Sequence, residues 1–224
     1  MAASAPDDAV DFPYTRHSAP SAIAMRQLEE THHLPAAIQQ RIGALIVYCN
    51  FIETLAEKVL WVLRQEDVRD QVPSTSQYKA GQIIENLRKM AAQQETSVRS
   101  AIELACETAR HIFEYRNCVA HGEFLSIGNA TQFVSNPGLW GERKRSTGAM
   151  ALISERFLDT AIDAAATVHQ TWLRVALEAS GPSAGRAGAM TDTLEKLTSV
   201  RAAIAELCRN EAIRDLHLNG NLIE

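Results

Sequence analysis

The stretch AAIQQRIGALIVYCNFIETLAEKVLWVLRQE, residues 36–66, decides the fold class. Within it Ile38, Ile42, Leu45, Cys49, Ile52, Ala56, Val59 and Leu63 recur at alternating steps of four and three. That spacing places them on one face of a long α-helix. An overlapping stripe, Ile42, Ile46, Cys49, Glu53, Ala56, Leu60 and Leu63, brings one carboxylate, Glu53, into an otherwise apolar surface.

The same period returns further along. Pro73 and the run Ser74-Thr75-Ser76 predict a loop, and a helix over 77–92 follows with Ile83, Ile84, Leu87 and Met90 inward. A long helix is predicted from Thr96 to His121, its stripe running Val98, Ala101, Ala105, Ala109, Ile112 and then Arg116, with Gly122 as the stop. Residues 123–153 alternate in a β-like way around Asn129 and the Asn136-Pro137-Gly138 turn, which predicts a small hairpin with Arg143, Lys144 and Arg145 at its tip. A further long helix is predicted from about Ser154 to Ala179. The last is predicted over 193–208, opened by Asp192-Thr193-Leu194-Glu195 in the manner of a capping box.

The expected fold is therefore all-α: an up-and-down bundle of four to five helices with a small β-hairpin inserted after the 96–121 helix. Residues 1–20, with Pro6, Pro13 and Pro20, are expected to be a mobile tail, with a short helix over 21–31 stopped before Pro35. The helical domain is placed at 21–180, a linker at 181–190, and a C-terminal helix and tail at 191–224, packed on the bundle or on a partner.

Composition agrees with helices. The chain has 224 residues, 46% of them hydrophobic and only 6% aromatic, which favours helical packing over a β-sandwich. No apolar run approaches the ~18 residues of a membrane span. The formal net charge of −5 excludes a globally basic nucleic-acid coat but leaves room for a local basic site. Cys49, Cys106, Cys118 and Cys208 form no CxxC pair, so neither a zinc module nor a redox motif is predicted, and no metal or cofactor is expected. The N-terminus lacks the apolar core of a secretory signal, and a cytoplasmic location is expected.

Chemistry concentrates in Arg116-Asn117-Cys118-Val119-Ala120-His121. At about 100° per residue, a guanidinium, an amide and an imidazole share one arc of the helix, with small Ala120 between them. Asn117 and His121 are one turn apart. His121 sits at the helix C-terminus, where the dipole favours its protonated form. Arg116 continues an apolar stripe, and a buried charge must be paired or used. The bland alternative is that Arg116 pairs with Glu53 as core glue while Asn117 and His121 close a helix end. Glu155, Asp159 and Asp163 repeat every four residues, but a solvated face accounts for them better than a magnesium site.

The six residues resemble the R-N-x-x-x-H motif of HEPN domains (higher eukaryotes and prokaryotes nucleotide-binding). The long helix before the motif, the glycine after it and the helix that follows are also similar, over residues 36–180. The resemblance implies a metal-independent endoribonuclease with a composite active site in a homodimer, found in toxin–antitoxin, abortive-infection and antiviral settings. By it, Arg116 contacts phosphate, His121 is the acid–base group and Asn117 orients the histidine or the scissile phosphate. Read from the residues themselves, Glu53 either pairs with Arg116 and holds it or is an acid at the edge of its stripe, and Arg143, Lys144 and Arg145 either grip RNA phosphates or form a solvated hairpin tip. An antitoxin or regulatory protein is an implied partner. Glu123 stands where some toxins paired with a nucleotidyltransferase carry a tyrosine, so that pairing is not implied here. Two rivals stay open: a catalytically silent module that binds nucleotide or a protein, and a structural helical adaptor.

Overall fold

The computed structural model describes residues 18–32, 34–121, 123–127, 130–134, 150–181 and 187–220. They belong to two compact units, 1–36 and 37–224. The first unit carries α1 (Ser18–His32), whose residues 24–31 are all exposed. The Leu34 N–H returns to the Leu28 carbonyl at 3.1 Å just before Pro35.

The second unit is built from α2 (Ala36–Arg64), α3 (Ala80–Ala91), α4 (Thr96–His121), α5 (Glu155–Ala179) and α6 (Ala187–Gly220). With α1, six helices are described: the five of this unit fall within the expected four to five, and α1 covers the short helix expected over 21–31. The apolar stripe of α2 is buried as the spacing requires, with Leu45, Cys49, Ile52, Val59 and Leu60 fully enclosed. Gln65 adopts φ 54 and ends α2. Its N–H bonds the Val62 carbonyl and the Glu66 N–H bonds that of Trp61, the paired closure common at helix C-termini.

The connection from α2 to α3 is not a simple reversal. Trp61 Nε1 donates to Thr75 Oγ1 at 2.7 Å, and Thr75 Oγ1 donates to Glu57 Oε1 at 2.5 Å. Residues 65–79 therefore run back along the last turns of α2. α3 starts there, with Gln82 Oε1 accepting from the Lys79 N–H, and comes abreast of Arg64 at Asn86. A tight link at 92–95 then sends α4 back past α3, where Cys106 lies against the Ile84 carbonyl. α4 is the central helix, packed on α3, α5 and α6.

α2 and α5 run in the same direction. Arg41 Nε meets Asp159 Oδ1 at 2.8 Å, and ten residues further along both helices the Phe51 ring meets His169, centroids 5.8 Å apart. Ser154 caps α5 by accepting from the Phe157 N–H. Trp172 and Tyr115, both fully buried, are the largest side chains of the core.

The backbone between α4 and α5 pairs antiparallel as β1 (Glu123–Ile127), β2 (Ala130–Val134) and β3 (Met150–Leu152), in that order. Glu123 lies opposite Val134, and Phe133 opposite Ala151. Residues 135–149 are outside the described residues.

α6 corrects the C-terminal expectation. It starts at Ala187, inside the stretch expected to be a linker, and continues to Gly220 rather than stopping at 208. Asp192 is therefore an exposed interior residue and not a cap, and Thr193 is buried beside the Arg174 guanidinium. The physical reason is the Ala187-Gly188-Ala189-Met190 turn. It supplies a nucleus one turn earlier, and Met190 is buried. Among the described residues no helix is long and apolar enough to cross a membrane.

Candidate functional site

α4 carries the motif where the spacing predicts, on its last two turns. Arg116 faces α2. Its Nη2 donates to Glu53 Oε1 at 2.7 Å, with the two side chains 22% and 32% exposed. Its guanidinium carbon stands 5.7 Å from the centroid of the Phe113 ring, one turn back on the same helix. Arg116 Nε is buried and has no hydrogen-bond partner among the described residues. Burial pushes the nearby Cys49 thiol up to about 11. The Arg116 charge opposes that rise and the Glu53 charge adds to it.

Asn117, Ala120 and His121 are exposed. The helix therefore splits the motif: Arg116 is anchored inward, while the amide and the imidazole face solvent. Above them, α3 and α4 enclose an open groove of about 1160 Å³ that ends at Arg116 and Asn117. Its α3 wall bears Glu85, Arg88 and Lys89, and its α4 wall bears Glu103, Glu107, Arg110 and Glu114. Counting Arg116, the lining has four acids and four cations. Lys89 pairs loosely with Glu85 at 3.9 Å, Arg110 with Glu114 at 3.8 Å, and Glu107 with Arg201 of α6 at 2.9 Å. The groove is therefore balanced rather than basic. His121 lies one turn beyond its end.

Glu53 is where the overlapping stripe put it, at the edge of the apolar face of α2 and against α4. Arg143, Lys144 and Arg145 lie outside the described residues. The acidic row of α5 is divided: Glu155 and Asp159 clamp Arg41 at 3.0 and 2.8 Å, and Asp163 is exposed one turn further on. Among the described residues no group of three His, Cys, Asp or Glu side chains is placed to hold a metal ion.

Two contributors escape the sequence reading. Phe113 beneath Arg116 has a signal in its spacing of three residues along one helix. The α3 wall has none, because it reaches the motif helix only through the fold-back of residues 65–79.

Comparison of the chain with family models, with curated proteins and with solved structures gave no match.

Proposed function

We propose that the chain is a metal-independent endoribonuclease of the HEPN type, working as a homodimer in which two α4 ends share one cleft. The observation that carries this reading is the split motif: Arg116 is held by Glu53 and Phe113, while Asn117 and His121 stand exposed on the adjacent arc. A fixed guanidinium suits two phosphate oxygens. An exposed imidazole is free to exchange protons with a bound substrate, which suits proton transfer.

In this reading one His121 takes the proton of an RNA 2′-OH as that oxygen attacks the adjacent phosphorus. The partner's His121 gives a proton to the departing 5′-oxygen. The new P–O2′ bond and the broken P–O5′ bond leave a 2′,3′-cyclic phosphate and a free 5′-hydroxyl. The two Arg116 side chains stabilise the charge on the phosphoryl oxygens. Arg143, Lys144 and Arg145 would add phosphate contacts to the RNA, in a toxin or antiviral role with a regulatory partner.

The balanced charge of the α3–α4 groove and the tight Arg116–Glu53 pair favour a second reading, a silent module or adaptor in which that pair is structural. Incubating purified protein with single-stranded RNA in excess EDTA decides between them. Products ending in 2′,3′-cyclic phosphate, absent with His121→Ala, support the nuclease. Intact RNA with wild type, including in cells where the chain is freely expressed, supports the module.

A further inference from the structure

Outside the motif region, the surface shared by α2 and α5 is unusual in what it exposes. Val47 and Phe51 on α2 are 47% and 50% exposed, and Leu173 and Leu177 on α5 are 44% and 54% exposed. Tyr48 meets Phe51 edge-on, and Phe51 rests against His169, so the two helices present one continuous ridge. The ridge offers roughly 300–400 Å² of apolar side chain, the apolar centre of an interface of standard size. Phe51 and Glu53 are two residues apart on a helix, hence on opposite sides of α2, so this face points away from the motif.

We propose that this face is a further interface between two copies of the chain, additional to the shared α4 cleft of the reading above and independent of it, with its two-fold axis through the Phe51–His169 contact. The register of the parallel pair makes the surface complementary to itself. α2 position n lies beside α5 position n + 118, as Arg41–Asp159 and Phe51–His169 both show. A two-fold axis at Phe51 and His169 then sets position n of α2 against position 220 − n of the partner's α5.

Each pairing that results is chemically sensible. Val47 meets the partner's Leu173. Gly43 meets the partner's Leu177, and a Cβ built at Gly43 touches nothing within 4 Å, so the larger side chain has room. Asn50, exposed, meets the partner's exposed Gln170. Lys58 arrives beside the partner's Asp163, seven residues above the axis on α2 and six below it on α5. Both are exposed, and neither has an ion pair among the described residues. The axis also gives α2 and α5, whose dipoles point the same way within one copy, antiparallel neighbours across the seam.

Light scattering and native mass spectrometry of the full chain at tens of micromolar test this. Phe51→Arg should halve the particle mass while leaving the far-UV circular dichroism spectrum unchanged, because the side chain is half-exposed. Leu173→Glu should do the same and covers the case in which the first variant folds poorly. Lys58→Glu alone and Asp163→Lys alone should each weaken self-association roughly tenfold or more. Mixed, the two should form heterodimers in preference to either homodimer, since one seam then holds a reversed pair and the other the native pair. His121→Ala should leave the mass untouched. A wild type that is monomeric, a mass indifferent to Phe51→Arg and Leu173→Glu, or a mixture with no heterodimer preference would overturn the proposal.

Discussion

The Arg116 guanidinium and the Glu53 carboxylate, 63 residues apart in sequence, meet at 2.7 Å where α4 packs on α2. The pair is partly buried, so removing one partner leaves the other short of an acceptor or a donor. Glu53→Ala should cost about 1–2 kcal/mol in urea unfolding, and Glu53→Gln less, because the amide oxygen can still accept. If Arg116 positions phosphate, both variants should also slow RNA cleavage. Unchanged cleavage with the expected loss of stability would leave the pair a purely structural one.

His121 is exposed, and its truncation should leave stability within about 0.5 kcal/mol of wild type. Under the nuclease reading His121→Ala should lower the single-turnover cleavage rate roughly 10²–10⁴-fold. RNA affinity, measured by fluorescence anisotropy, should be retained, whereas Arg116→Ala should lose both.

Thr75 is buried and its hydroxyl serves two partners, accepting from Trp61 and donating to Glu57. Thr75→Val keeps the shape and strands both, which should cost about 1–3 kcal/mol. Thr75→Ser should be far milder. Urea denaturation midpoints with unchanged m-values check the contrast.

The Ser74 N–H and hydroxyl, both bonded to Glu66, hold its carboxyl below its ordinary 4.5. A depressed carboxyl pKa contributes stability above the unfolded value that is lost as pH falls through the folded one. The fold-back of residues 65–79 should therefore loosen in acid, seen as faster amide exchange there. Ser74→Ala should move the Glu66 titration, followed by NMR, back toward 4.5.

Cys49 is enclosed, and burial pushes its thiol from 9.0 to about 11. Its contribution to stability should be complete below pH 9 and fade as pH rises toward 11, because the unfolded chain sheds that proton first. At pH 8 iodoacetamide should leave Cys49, Cys106 and Cys118 unmodified in the native protein, as peptide mass mapping would read.

Much of this was legible before any coordinates. The four-and-three spacing in residues 36–66 and 96–121 fixes both the helices and their inward faces, since a helix must bury its stripe. Glu53 showed itself as a charge inside such a stripe, and Arg116 as the charge that continues another. What stayed hidden depends on contacts between distant residues. Nothing local in Trp61 or Thr75 announces that residues 65–79 double back, and the α3 wall of the groove follows from that turn. The start of α6 was missed for a different reason. Asp192-Thr193-Leu194-Glu195 offers a good cap, but burial of Met190 outweighs local cap chemistry. The same-direction pairing of α2 and α5 has no sequence signature at all, because it is set by the packing of α4 between distant segments.

That pairing has a consequence for the order in which the chain matures on the ribosome. Arg41 is made 118 residues before Asp159, and at typical rates of synthesis this is a wait on the order of ten seconds. During that interval α2 can close only onto α3 and α4, its near neighbours in sequence. Its Val47–Phe51 flank stays bare until α5 emerges. A nascent chain halted before α5 would carry half of the ridge and none of its complement, so copies translated side by side have no matched α2–α5 surface to join until α5 has emerged on each.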